Sequence, residues 1–232
     1  WGNKALFTDP ATRLGGEKCT YPIPTYEAIK GICKSIYWKP TLTWYVDKIR
    51  VMKPIKMNPD MVRGMSYTAK TDSLFTYTYL TDVEYQVQAH FYWNFNQCRD
   101  NLEQDRNFQK HCAIAQRSLR HGGRHDIFLG TRECQGYVES CTFGKDSGEY
   151  DGKDIDFGFM YHGLTYADEA YDETTENKIT ANFWNAKMEN GIITFPSPEK
   201  CIYHKQIRNM KPKKFGKEYN NFRTVEEEEK IL

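Results

Sequence analysis

Three side chains in this sequence have the types needed to move protons at a phosphate. Lys110 and His111 stand side by side in "NFQKHCAIAQRSLRHGGRHD" (107–126), and Tyr37 stands in "SIYWKP" (35–40). Cleaving an RNA phosphodiester without a metal needs one group to take the 2′-hydroxyl proton and another to give a proton to the departing 5′-oxygen. It also needs a cation to stabilise the charge on the phosphorane. A histidine, with a pKa near about 6.5, can do either proton job. Lysine supplies a point charge. Tyrosine can hydrogen-bond and orient the 2′-hydroxyl or a phosphate oxygen. A helix N-terminus also attracts phosphate through its free N–H groups, and Lys110–His111 would sit at one. Residue types leave a second reading open: Tyr37 and Trp38 packed on a sheet, with Lys110–His111 a solvated first turn. The two segments meet only if their helices run antiparallel or loops bring them round.

Other chemistries lack their residues. The six histidines are His90, His111, His121, His125, His162 and His204. His121 and His125 have helical spacing, but Gly122–Gly123 breaks the helix between them. No H-E-x-x-H, no EF-hand spacing, no phosphate-binding glycine loop and no G-x-S-x-G is present. The expectation is no metal and no cofactor. The seven cysteines include no C-x-x-C pair and read as scattered, reduced thiols.

The elements that must position these residues follow from local patterns. "PTYEAIKGICKSIYWKP" predicts a helix capped by Thr25, buried along Ala28, Ile29, Ile32, Cys33 and Ile36, and stopped by Pro40. "TLTWYVDKIRVMKPI" is a strand whose apolar phase slips near Asp47, predicting a β-bulge. A polar, Met-rich connection runs to about Ser73. "DVEYQVQAHFYW" alternates as one long strand. The helix holding His111 should bury Cys112, Ala115 and Leu119 and end at Gly122–Gly123. "DIFLGTRECQGYVESC" reads as a further strand with glycine breaks. The order is then β-α-β-β-α-β, an α+β ferredoxin-like arrangement over residues 1–144. After that the texture changes. "ITANFWNAKME" and "IITFP", joined by Asn190–Gly191, predict a hairpin within a small antiparallel β-sheet lobe over 145–232. A basic tail, "NMKPKKFGKEYNNFR", and "VEEEEKIL", read as either a short helix or a frayed end, close the chain.

Net charge is only +1, but its signs are segregated. Ten acids face two lysines between Lys145 and Glu176, whereas ten Lys and Arg face three Glu between Asn177 and Val225. A segregated basic face suits a polyanion and also suits a solvated surface. No apolar run approaches the roughly 20 residues that cross a bilayer, and no signal peptide is seen, so the expected location is cytoplasmic with no membrane partner. The chain opens on Trp1 and not Met, so its natural start is expected upstream.

Several segments together, "ALFTDPATRLGGEK", "PTYEAIKGICKSIYWKP", "RVMKPI", "RHDIFLGTRECQGYVESC" and "AKMENGIITFP", resemble the Cas-five proteins (d branch) of subtype I-C CRISPR systems, in order and over nearly the whole chain. The resemblance implies a two-lobed, repeat-associated RNA-binding fold. It implies metal-independent cleavage of precursor guide RNA at the base of the CRISPR repeat hairpin. It implies retention on the 5′ handle of the guide beside the other subunits of a subtype I-C interference complex. The family's catalytic Tyr falls on Tyr37, and its adjacent Lys and His fall on Lys110 and His111. Expected products are a 5′-hydroxyl and a 2′,3′-cyclic phosphate. Arg117, Arg120, Arg124 and His125 would grip hairpin phosphates. Two competing functions are a non-catalytic subunit capping the 5′ handle and a duplex DNA binder acting through the basic tail.

Overall fold

The computed structural model describes residues 1–64, 73–96, 103–215 and 223–229. In chain order its elements are β1 (Gly2–Ala5), β2 (Lys18–Cys19), α1 (Tyr26–Ile36), β3 (Leu42–Val51), β4 (Met57–Gly64), β5 (Ser73–Val83) and β6 (Tyr85–Trp93). They continue with α2 (Phe108–Arg120), β7 (Ile127–Phe128), β8 (Gln135–Gly136), β9 (Ile155–Thr165), β10 (Lys178–Met188), β11 (Ile192–Thr194), β12 (Tyr203–Asn209) and α3 (Val225–Glu229), with short 3₁₀ turns between. The fold is mixed α+β and mostly sheet.

The first helix starts where its cap dictates. Thr25 is extended, and its hydroxyl accepts the N–H of Ala28 at 3.2 Å. Tyr26, Ile29 and Cys33 then face a core made by Val46 and Ile49 of β3 and Trp184, Met188 and Ile193 of β10 and β11. Each such side chain stabilises the fold by about 1.5–3 kcal/mol. Lys30, on the same face, is buried as well and forms an ion pair with Glu169. Burial alone would lower its pKa, but Glu169 and Glu27 outweigh that and hold it raised.

Strand β3 is the centre of the sheet that bears on α2. It pairs antiparallel with β6 and with β11, and its register with β6 slips between Val46 and Lys48, the bulge expected near Asp47. A second sheet places β5 between β1 and β2, with β4 also on β5, and a third orders β12-β10-β9. Two expectations change here. The segment after β3 is not connection throughout: within it β4 runs antiparallel to β5 through eight paired positions, Met57↔Leu80 to Gly64↔Ser73, while residues 65–72 lie outside the described residues. It was missed because it is polar and exposed, with Pro59 inside it. The long strand from Val83 to Trp93 is in fact broken. Asp82 has φ +53°, and Val83 belongs to β5 while Tyr85 opens β6.

The Asn190–Gly191 turn forms with φ +50° and +76°, both in the region that this dipeptide tolerates. The strand that follows, β11, leaves β10 and adds to β3 (Ile193↔Ile49). The residues after 145 thus share a core with α1 and β3. No helix among the described residues is long and apolar enough to cross a membrane.

Candidate active site

The chain leaves α1 at Tyr37, and its backbone is tied on both sides. The Tyr37 N–H donates to the Cys33 carbonyl at 3.1 Å, and the Tyr37 carbonyl accepts the indole N–H of Trp44 at 2.7 Å. So fixed, the ring turns inward and packs with Leu42, Ile114 and Val225 at 0% exposure.

The second helix brings the partner. Asn107 caps α2 by accepting the Lys110 N–H at 3.2 Å. The stripe that α2 buries is His111, Ile114 and Ser118, one residue off the expected Cys112, Ala115 and Leu119. His111 therefore points inward at 0% exposure, and its Nδ1 lies 2.7 Å from the Tyr37 hydroxyl. Residues 74 apart in sequence are thereby placed in direct contact.

The bond polarity follows from the other ring nitrogen. His111 Nε2 is 2.6 Å from the main-chain carbonyl of Asp105. A carbonyl only accepts, so Nε2 carries the proton, and in the neutral ring Nδ1 is a lone pair. Tyr37 then donates its hydroxyl proton to His111. Behind the ring, the Asp105 carboxylate lies 3.6 Å from Nε2. It is 2% exposed and is held by the Thr41 hydroxyl at 2.9 Å and the Val225 N–H at 2.7 Å. A buried anion there favours the imidazolium that forms if His111 takes a proton. The order hydroxyl, imidazole, carboxylate is that of an activated hydroxyl with an oriented base. Asp105 carries no local sequence signal. It precedes His111 by six residues at the end of a 3₁₀ turn (Glu103–Asp105) and contacts Thr41 and Val225 only through the fold.

Lys110 is the next residue along, partly exposed, with its ammonium 2.9 Å from the Glu226 carboxylate. Arg124 joins from the far end of α2. Gly122 and Gly123 close the helix in a Schellman turn, the Gly123 N–H reaching the Ser118 carbonyl at 2.8 Å and the Gly122 N–H reaching Leu119 at 3.0 Å. The turn throws Arg124 and His125 against the last turn of α1, where both main-chain N–H groups bond the Ser35 carbonyl at 3.1 Å. The Arg124 guanidinium then sits 4.7 Å from the centre of the Tyr37 ring, a cation–π contact. Arg117 and Arg120 lie exposed on the last turns of α2, and His125 is exposed just beyond. The fold thus gathers Tyr37, Lys110, His111 and Arg124, and it leaves Arg117, Arg120 and His125 facing solvent.

The other fully buried histidine is different. His162 stacks on Tyr26 at 4.2 Å and donates Nε2–H to the Pro196 carbonyl at 3.0 Å. Burial lowers its pKa to about 3, so it remains neutral and packs as a core ring. Among the described residues, no three His, Cys, Asp or Glu side chains converge as a metal would require. Cys98 and residues 216–222 of the basic tail lie outside the described residues.

Comparison with known proteins identifies the family. The Cas5d family model, described as "CRISPR-associated protein (Cas_Cas5)", matches residues 1–196. A protein of Mannheimia succiniciproducens named "CRISPR pre-crRNA endoribonuclease Cas5d" is 26% identical over 225 residues, covering 84% of this chain and 92% of its own. A protein of the same name from Thermus thermophilus is 27% identical over 180 residues, covering 73% of this chain and 72% of its own. A solved CRISPR-associated protein superposes with a TM-score of 0.70 at 34% identity, over 88% of this chain and 92% of the other. A functionally uncharacterized protein from Streptococcus mutans does so at 0.69 and 37% identity, over 88% and 93%. The chain belongs to the Cas5d family of CRISPR-associated proteins.

Proposed function

We propose that this chain is a metal-independent endoribonuclease that binds the CRISPR repeat hairpin and cuts precursor guide RNA. It then stays on the 5′ handle within a subtype I-C interference complex in the cytoplasm. The observation that carries the reading is the 2.7 Å contact between the Tyr37 hydroxyl and His111 Nδ1, with Lys110 beside it. Two relatives named as pre-crRNA endoribonucleases support the substrate.

In this reading the 2′-hydroxyl gives its proton to the Tyr37 oxygen as the Tyr37 proton passes to His111 Nδ1. The 2′-oxygen attacks phosphorus, and Lys110 stabilises the phosphorane. The bond to the 5′-oxygen breaks and that oxygen takes up a proton from solvent, leaving a 5′-hydroxyl and a 2′,3′-cyclic phosphate. Asp105 steadies the imidazolium until it is discharged. Arg117, Arg120, Arg124 and His125 supply phosphate contacts along the hairpin. In this reading a ferredoxin-like lobe of residues 1–144 carries this chemistry, and the small sheet lobe assigned to residues 145–232 shares its core and contributes Val225 to the site.

The complete burial of Tyr37 and His111 favours a second reading, in which the pair is structural and the chain is a non-catalytic cap on the guide 5′ handle. Incubation with repeat RNA in EDTA separates the two: cutting at the hairpin base supports the enzyme, and no cutting by folded protein removes it. Competition between repeat hairpin and duplex DNA tests the duplex as a partner.

A further inference from the structure

The pair placed at the centre of the reaction is sealed by the chain's own C-terminal segment. Val225 is 2% exposed and lies against Tyr37, Leu42 and Ile114. Its N–H is held by the Asp105 carboxylate at 2.7 Å, the same carboxylate that stands behind His111. Two residues earlier, the Arg223 carbonyl accepts a hydrogen bond from the Lys39 ammonium at 2.8 Å. One residue later, the Glu226 carboxylate sits on Lys110 at 2.9 Å. Thr224 and Glu227 hold the turn as a reciprocal cap, Thr224 N–H to Glu227 at 2.9 Å and Glu227 N–H to the Thr224 hydroxyl at 3.2 Å.

The segment therefore offers oxygens to two lysines around the proton relay: an anionic carboxylate to Lys110 and a carbonyl to Lys39. An RNA phosphodiester offers the same thing, anionic oxygens on a short backbone. The segment is also weakly held. A five-residue helix has no stability of its own. The ion pair is exposed enough (34% and 72%) to count for little, and among the described residues of the segment Val225 is the apolar anchor. Segments of this kind open at low cost, and a polyanion presenting several phosphates outcompetes a single carboxylate.

We propose that residues 223–229 occupy the scissile-phosphate seat as an internal stand-in for RNA, and that Lys39 is a second phosphate-binding cation of that seat, uncovered with Lys110 when RNA displaces the segment. The proposal rests on Tyr37 and His111 being the catalytic pair. The segment keeps the relay dry and its lysines partnered until substrate arrives, and its displacement is the event that admits the 2′-hydroxyl to Tyr37.

The test uses full-length protein carrying Glu226→Lys, which repels Lys110, or Val225→Ser, which weakens the anchor. Modification of His111 by diethyl pyrocarbonate, read at that residue by mass spectrometry, should rise at least about tenfold in both variants. Repeat hairpin should bind each of them several-fold more tightly than parent. Lys39→Met in the Glu226→Lys background should weaken hairpin binding and flatten its salt dependence by about one phosphate contact. Unchanged His111 modification in both variants, with native circular dichroism, overturns the internal stand-in. An unchanged affinity and salt slope in Lys39→Met overturns the role of Lys39. The modification readout needs no catalysis. If His111 is uncovered as expected but a His111→Asn variant still cuts RNA, the catalytic reading fails while the seal stands.

Discussion

Removing one oxygen separates catalysis from folding at this site. Tyr37→Phe keeps the ring and its packing on Leu42, Ile114 and Val225 and deletes only the hydroxyl bonded to His111 Nδ1. The lost hydrogen bond is worth about 0.5–1.5 kcal/mol net, and leaving a buried acceptor unpaired brings the cost to about 1–3 kcal/mol. Truncation to alanine would instead empty a fully buried ring site and cost about 3–5 kcal/mol, enough to unfold a marginal domain. Phenylalanine is therefore the informative change. If Tyr37 passes the 2′-hydroxyl proton to His111, single-turnover cleavage should fall by about 10²–10⁴-fold, while hairpin affinity stays within about twofold because phosphate contacts along the hairpin, and not this one hydroxyl, carry binding. The assay is a gel-resolved time course of repeat RNA in EDTA with enzyme in excess, run beside thermal melts of both proteins. A folded Tyr37→Phe protein that cuts within about threefold of parent would refute the relay.

The remaining predictions concern stability. His162 is neutral in the fold, its pKa lowered from 6.5 to about 3 by burial, so the unfolded chain takes up a proton first as pH falls. Stability is then full above about pH 6.5 and is lost between there and about pH 3, by about 2 kcal/mol at pH 5. Urea melts at pH 7 and pH 5 should show it, and a folded His162→Asn variant should show a smaller loss. Lys30→Met strands the Glu169 carboxylate with Lys34 as its remaining ion-pair partner and should cost about 3 kcal/mol by denaturant melts. Gly122→Ala adds a side chain into open space at φ +83° and should cost about 1 kcal/mol. Gly123→Ala, at φ +104° with the His125 carbonyl 3.2 Å from the new carbon, should cost more and loosen Arg124 from Tyr37.

The sequence is legible wherever the physics is local. The Thr25 cap, the bulge near Asp47, the Asn190–Gly191 turn and the Gly122–Gly123 ending each depend on a few neighbouring residues, and each forms. The stripe of α2 was misplaced by one residue because it was traced through the apolar side chains Cys112, Ala115 and Leu119 alone. His111 goes inside because both of its nitrogens find partners there, Tyr37 and the Asp105 carbonyl. Strand β12 is solvent-exposed along its whole length, so its side chains carry no burial pattern to read. Strand β9 was hidden by the acidic, glycine-bearing stretch around it, and its pairing with β10 is a property of the sheet. The places of Asp105 and the C-terminal segment at the site escaped notice for a further reason. Their contacts span 120, 116 and 184 residues, and nothing near Val225 or Lys39 announces them. The roles of Tyr37, Lys110 and His111 came from the resemblance, since their types alone left a solvated first turn open.

The central claim is most directly tested with one substrate pair: a cognate repeat hairpin, and the same hairpin with a single 2′-deoxy at the scissile nucleotide, each incubated with the protein in EDTA. The account predicts a single cut at the hairpin base in the ribose substrate, ending in a 2′,3′-cyclic phosphate, and equal binding without cleavage of the deoxy substrate. Cleavage of both, or of neither by protein that is folded and bound, would contradict it.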